Sequence, residues 1–264
     1  MSLLITIDIG NTQTTVGFWD GQRVVEGFRL ASRRYRTSDE WGIWLTMMLH
    51  QRGINSAACT GIAIASVVPQ ITAAIVDACR RYFHLDPFLI APGIKTGMPI
   101  LYEDPKAVGA DRIANAVAAY RELGGPCVVI DLGTATTFDI ISAHGEYLGG
   151  VIAPGIEISL DALFQRTARL PRIEIEQPPG IIGRNTPHAM QAGIYYGALG
   201  MIERIAREIQ AVLGDTTQFI ATGGLAPTLA HASPYLQRHD PFLTLRGIAY
   251  LYAMNRDTGS ANEA

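Results

Sequence analysis

Two short tracts in this chain set an acid, a glycine and hydroxyl residues in the order that phosphate chemistry uses. The first is Asp8-Ile9-Gly10-Asn11-Thr12, continuing through Gln13, Thr14 and Thr15, and the second is Asp131-Leu132-Gly133-Thr134. They stand nearly half of the 264-residue chain apart. Glycine lets backbone N–H groups approach a ligand closely, and Asn and Thr side chains add donors. The Asp at the head of each tract can hold a cation or its water shell, which makes Asp8 a candidate for Mg²⁺ through water. A single turn of this kind is weak, because Asp, Gly, Asn and Thr are ordinary turn residues. Two copies, each between apolar runs, point to a metal–polyphosphate gripped from both sides.

Between the repeats lies the densest polar cluster, Tyr102-Glu103-Asp104-Pro105-Lys106-Ala107-Val108-Gly109-Ala110-Asp111-Arg112, followed by an alanine-rich helix expected over 113–120. An acid near a helix N-terminus is favoured by the macrodipole, so Asp111 reads at least as a first-turn acid. Arg112 beside it is unfavourable by the same rule, and its planar fork suits a carboxylate. Asp111 can accept the proton of a hydroxyl attacking a phosphorus. Thr222-Gly223-Gly224 after a strand is a further glycine-rich turn, open enough for a flat base to lie against backbone. Gly149-Gly150 to Gly155 is another glycine-rich stretch whose spacing alone assigns it no task.

Strands are expected at 3–7, 14–19 and 22–30, and the first two make a hairpin with the first polar tip at its bend. Thr37-Ser38-Asp39-Glu40 starts a helix in which Trp41, Trp44, Leu45, Met48 and Leu49 recur at helical spacing, with Gly53 as its stop. A buried strand near 61–68, a helix over 70–82 and a short strand at 87–90 follow. The second half repeats the hairpin over 128–147, then gives helices over 156–168 and 188–213, a strand at 218–221 and a terminal helix from about Leu243. The spacing predicts an α/β protein of two similar lobes with mixed sheets and a central cleft, residues 1–118 and 119–255, and a small polar tail over 256–264 expected to be disordered.

With 48% hydrophobic and 17% charged residues the chain reads as globular, and a net charge of −3 gives no support for nucleic-acid binding. The basic run Arg33-Arg34-Tyr35-Arg36 is short enough to be a solvated loop. No apolar stretch approaches the ~20 residues of a membrane span, and the N-terminus carries no leader pattern. Cys59, Cys79 and Cys127 make neither a disulfide framework nor a zinc spacing, so a reduced cytoplasmic protein is expected. There is no Walker-type Gly-x-x-x-x-Gly-Lys cradle, no Gly-x-Gly-x-x-Gly after a strand and no Gly-x-Ser-x-Gly elbow. The first tip has no Lys, so phosphate charge falls to backbone donors, hydroxyls and cations.

With those residues in order, the chain resembles the type III pantothenate kinases of the acetate/sugar kinase, actin and heat-shock chaperone superfamily. The resemblance runs over about 3–250, through Asp8 to Thr12 with Gly17, Tyr102 with Pro105 and Gly109 to Arg112, Asp131 to Thr134, Gly149 to Gly155, Leu170-Pro171, Gly183-Arg184-Asn185-Thr186 and Thr222-Gly223-Gly224. It implies two actin-like (ribonuclease H-like) lobes and ATP-dependent phosphorylation of the primary hydroxyl of pantothenate, the first step of coenzyme A synthesis. It implies ATP contacts from Asp8 to Thr15 and from Thr134, with Gly223 and Gly224 beside the nucleotide. Asp131 is implied as ligand of a monovalent cation, K⁺ or NH₄⁺, needed beside Mg²⁺, and Asp111 as proton acceptor. Tyr102, Gly109, Ala110, Arg112 and Thr186 are implied pantothenate contacts, with Arg112 on the carboxylate. A homodimer is implied too, with Thr186 reaching the neighbour's site. The alternatives are a kinase for another small hydroxyl substrate, a regulatory nucleotide-binding accessory protein without turnover and, third, an actin-like or chaperone ATPase.

Overall fold

The computed structural model describes residues 2–256. The chain divides into two compact units, one running to Ala118 and resuming at Phe242, the other Ala119–Pro241.

The first unit is built on a five-stranded sheet of order β3-β2-β1-β4-β5: β1 (Leu3–Ile9), β2 (Gln13–Trp19), β3 (Val24–Ala31), β4 (Cys59–Ser66) and the short β5 (Phe88–Leu89). β1 pairs antiparallel with β2 and parallel with β4. As the central strand it is covered on both faces, which is why Leu3-Leu4-Ile5-Thr6-Ile7 is continuously buried instead of alternating. Ile5, Ile7 and Ile9 join one core with Trp41, Leu45 and Leu49 of α1 (Ser38–Gln51) and Ile71 and Ile75 of α2 (Pro69–Ala78). Thr37 caps α1 in a reciprocal capping box with Glu40, as its Thr-x-x-Glu pattern demands. Trp41 is wholly buried, and truncating it would cost about 3–5 kcal/mol. Beyond α2 the helix widens into a π turn, Cys79–Phe83. Tyr35 in the basic run is 95% exposed, in keeping with a solvated loop.

The terminal helix α7 (Leu243–Arg256) packs against β1, β2 and β4 of this first sheet. The reading of 119–255 as one lobe is corrected here: the sequence alternation shows where a helix lies but not which sheet it covers. Glycines on the strands receive it. A Cβ at Gly17 would fall 2.6 Å from Leu245 Cδ1, and one at Gly61 would collide with the Tyr252 hydroxyl. Of the tail expected from 256, Arg256 closes α7 and the remainder lies outside the described residues.

The second unit repeats the order with four strands, β8-β7-β6-β9: β6 (Cys127–Leu132), β7 (Ala135–Ile141), β8 (Tyr147–Pro154) and β9 (Gln218–Thr222). Again the central strand is antiparallel to its hairpin partner and parallel to the last strand. Gly149-Gly150, open in the sequence, lies within β8, paired with Ile140 and Asp139 beside a register shift. α4 (Ile156–Gln165) and α5 (Thr186–Leu213) supply the covering helices. Tyr195, Leu199, Ile202, Ala206 and Ile209 of α5 pack on Val128, Ile130 and Leu132. α6 (Ala226–Leu229) is a single turn. The helix α3 (Ala110–Leu123) runs from one unit into the next and starts three residues earlier than expected.

Candidate active site

Asp8 and Asp131 occupy equivalent positions, each next to last in the central strand of its sheet. Asp8 pairs with Thr15 across the hairpin and with Ala65 on the parallel side. Asp131 pairs with Thr137 and Thr222 in the same way. The repeated acid therefore heads the same bend twice.

In the first unit the bend is drawn closed by a hydrogen bond from Gly10 N–H to the Gln13 carbonyl, 3.0 Å. Asn11, Thr12 and Gln13 are exposed at its apex, while Thr14 is buried. Ser32, after β3, is the residue that holds this tip from outside. Its Oγ donates to the Gly10 carbonyl at 2.7 Å and lies 2.9 Å from Thr14 Oγ1, and its N–H donates to the Thr12 carbonyl at 2.9 Å. Sequence reasoning missed Ser32, whose only signal is its place where the third strand returns beside the tip.

In the second unit Gly133 N–H donates to the Ala135 carbonyl at 3.1 Å, making a two-residue bend of Gly133 and Thr134. Two distant glycines fit against it. A Cβ at Gly155, the N-cap of α4, would collide with the Thr134 carbonyl. Gly223 has φ +94°, and a Cβ there would fall 2.6 Å from both Asp131 Oδ1 and the Leu132 carbonyl. Gly224 beside it is exposed. The Thr222-Gly223-Gly224 turn is thus laid on the second tip because no side chain intervenes.

Asp111 and Arg112 are the second and third residues of α3, inside the first turn. Gly109 acts as the cap, its carbonyl accepting from Ile113 N–H at 3.1 Å. Asp111 Oδ1 accepts from the Arg112 N–H at 2.8 Å, which fixes one carboxylate oxygen and turns the helix start into an ordered acidic point. Gly109 and Ala110 wall a cavity of about 330 Å³ within the first unit, with Val67, Ile94, Ile100 and Lys106 among the other walls. That volume is in the range of small-ligand sites, and the mix of aliphatic walls with few polar groups is typical of them. Tyr102 is 38% exposed in the loop ahead of Asp104, whose side chain accepts from Lys106 N–H at 3.0 Å. The segment 91–100 that walls the cavity drew no attention in the sequence; its Pro92-Gly93 and Gly97 are the signal it offered.

Thr186 belongs to the second unit as the first residue of α5, two residues ahead of the helix start expected at 188. Asn185 caps that helix, accepting from His188 N–H at 2.9 Å. Thr186 lines a separate cavity of about 540 Å³ with Leu163, Leu170, Gly183, Arg184 and Met190. All three cysteines are buried thiols, pushed by burial up to about 11 for Cys59 and to about 12 for Cys79 and Cys127. They are not nucleophiles at neutral pH.

Residues 4–208 match the family model described as Type III pantothenate kinase. The chain belongs to the type III pantothenate kinase family. It is 49% identical over 254 residues to the type III pantothenate kinase of Pelobacter propionicus, covering 96% of this chain and 100% of that one. The Myxococcus xanthus and Moorella thermoacetica type III pantothenate kinases are each 47% identical over 253 residues and 96% of this chain, with 99% and 100% of theirs covered. Among solved structures, this family member is similar to the activator of 2-hydroxyisocaproyl-CoA dehydratase from Clostridium difficile with bound ADPNP. That match has TM-score 0.56 at 10% identity and covers 99% of this chain and 98% of that one. The ethanolamine utilization protein EutJ of Carboxydothermus hydrogenoformans gives TM-score 0.53 at 13% identity over 95% and 90% of the two chains. Those likenesses carry the fold, actin-like α/β units built on two mixed sheets, as the resemblance implied.

Proposed function

We propose that the chain transfers the γ-phosphoryl group of Mg·ATP to the primary hydroxyl of pantothenate, giving 4′-phosphopantothenate and opening coenzyme A synthesis. The observation that carries this reading is Asp111 in the first turn of α3, one carboxylate oxygen tied to the Arg112 N–H, one residue beyond a cavity walled by Gly109 and Ala110.

Asp111 orients the pantothenate hydroxyl and takes its proton as the oxygen attacks phosphorus. A strong base is not required, because in a loose transition state the proton leaves late and positioning dominates. Arg112 pairs with the pantothenate carboxylate, with Tyr102, Gly109 and Ala110 holding the rest of the molecule. The bends at Asp8 to Thr15 and at Thr134 meet the phosphates with backbone N–H groups and hydroxyls, and Gly223 and Gly224 lie along the base.

Among the described residues no three His, Cys, Asp or Glu side chains cluster as a metal cage. A single carboxylate, Asp8, fits a Mg²⁺ that keeps its waters and takes its other oxygens from the nucleotide. Asp131 Oδ1 lies over Gly223 beside the Leu132 carbonyl, a hard oxygen cradle that a Cβ would fill and one that fits K⁺ or NH₄⁺. These cations supply charge neutralisation on the phosphates when bound. We read the chain further as a cytoplasmic homodimer in which Thr186 completes the neighbour's pantothenate site. No helix among the described residues is long and apolar enough to cross a membrane.

The test is product identification. Protein incubated with Mg·ATP and pantothenate in K⁺, NH₄⁺ or Na⁺ buffer should yield 4′-phosphopantothenate by mass, in the first two only. ADP without that product, or a panel of other hydroxyl compounds preferred over pantothenate, would overturn the reading.

A further inference from the structure

The helix that carries Asp111 is pinned one turn into its length. Asn115 follows Asp111 by four residues, is wholly buried, and accepts at Oδ1 a 2.7 Å hydrogen bond from Thr244 Oγ1 at the start of α7. Residues four apart on a helix share a face, so a force on one is felt at the other. One turn further along α7, Gly247 lies on the Ala114 main chain, and a Cβ there would collide with the Ala114 carbonyl. At Gly247 the two helices therefore meet backbone to backbone.

Other side chains of α7 rest on the first sheet, whose β1–β2 hairpin carries the first phosphate tip. Leu245 fits against Gly17 of β2, the Tyr250 ring stands edge-on to Trp19 at 5.6 Å, and Tyr252 covers Gly61 of β4. α7 thus touches, inside one unit, both the Asp111 helix and the hairpin that ends in the Asp8 to Thr15 tip. The glycine contact limits how close the two helices come, and the buried hydrogen bond adds a preference in distance and angle.

We propose that Asn115 and Thr244 are positioning residues for phosphoryl transfer, their hydrogen bond setting the rotation and axial place of α3 on α7 and so the place of Asp111 relative to the first phosphate tip. Neither touches substrate. The inference rests on the assignment of Asp111 as proton acceptor. A displacement of the acceptor by ~1 Å is enough to cost on the order of 100-fold in rate.

Thr244→Val keeps the side-chain shape and removes the hydroxyl, whereas Thr244→Ser keeps the hydroxyl. Steady-state kinetics, urea midpoints and amide exchange at Arg112 and Ile113 are measured for both, alone and with Asp111→Asn. Expected for Thr244→Val is a kcat loss of about tenfold or more with the KM for ATP within about twofold. Recovery in Thr244→Ser and no further loss when Thr244→Val is added to Asp111→Asn are also expected, as are faster exchange at Arg112 and Ile113 and unchanged exchange in β1. A folded Thr244→Val with wild-type kcat, a loss equally large on top of Asp111→Asn, or a Ser variant that does not recover would overturn the proposal. If the wild-type protein turns over no pantothenate, the functional reading has failed. The positioning claim then stands or falls on the exchange at Arg112 and Ile113, faster supporting it and unchanged overturning it. Should Thr244→Val not fold, Thr244→Ala takes its place in every comparison.

Discussion

Gly109 lies against the carboxylate of Asp111, so closely that a Cβ at position 109 would collide with Oδ1. The oxygen concerned is the one that accepts from Arg112 N–H. Glycine at this cap thus does more than start a helix, for it leaves room for the acid to fold back on its own backbone.

Gly109→Ala is therefore expected to impair catalysis well beyond stability. The carboxylate is the end of a side chain and can rotate away, so folding should change by no more than about 1 kcal/mol. The rotated acid should lose on the order of tenfold or more in kcat, because geometry sets the rate. Urea midpoints and initial rates on the same preparation check both halves.

Gly223 behaves in the opposite way. Its φ of +94° and its contact with the Leu132 main chain cannot be relieved by a side-chain rotation. Gly223→Ala should destabilise the protein by about 1–3 kcal/mol and raise the K⁺ or NH₄⁺ concentration needed for half-maximal activity. Thermal unfolding with a cation titration separates the two effects. A variant as stable as wild type with an unchanged cation response would contradict the Asp131 cradle.

Ser32 ties the first tip together through Gly10 and Thr14. Ser32→Ala should raise the KM for ATP several-fold, on the order of the 0.5–1.5 kcal/mol net of one hydrogen bond, and leave the KM for pantothenate within about twofold. Initial rates at varied ATP and at varied pantothenate decide it.

Burial pushes the three thiols above the ordinary cysteine value, to about 11 in Cys59 and to about 12 in Cys79 and Cys127. A folded thiol that holds its proton longer than an unfolded one favours the fold below its unfolded pKa. That stability is lost as pH rises above about 9 toward 11–12, and none is lost on going from pH 9 down to 7. Thiol labelling at pH 8 should be slow in the native state and fast in urea, while denaturation midpoints fall only above pH 9.

Much of this was legible in the chain itself. The repeated Asp-x-Gly hairpins announced themselves because glycine and short polar residues between apolar runs have few other uses, and Trp41, Leu45 and Leu49 showed their buried face by period alone. The partner of α7 was not legible. Its attachment to the first sheet depends on Gly17 and Gly61 receiving particular side chains, and a glycine in a strand does not say what comes to lie over it. Ser32 was hidden for a related reason, since its importance lies in neighbours brought to it by pairing. The cavity beside Gly109 is walled by the stretch 90–113 closing on Ser66 and Val67, and no local pattern encodes an empty volume.

The most direct measurement is ADP release from Mg·ATP in K⁺ or NH₄⁺ buffer, with and without pantothenate, by the wild-type protein and Asp111→Asn in parallel. Expected is pantothenate-dependent turnover that falls by about 10²–10⁴ in the variant while ATP affinity stays within about twofold. Turnover in Asp111→Asn within about threefold of wild type would remove Asp111 as proton acceptor, and pantothenate-independent release in both would contradict the kinase itself.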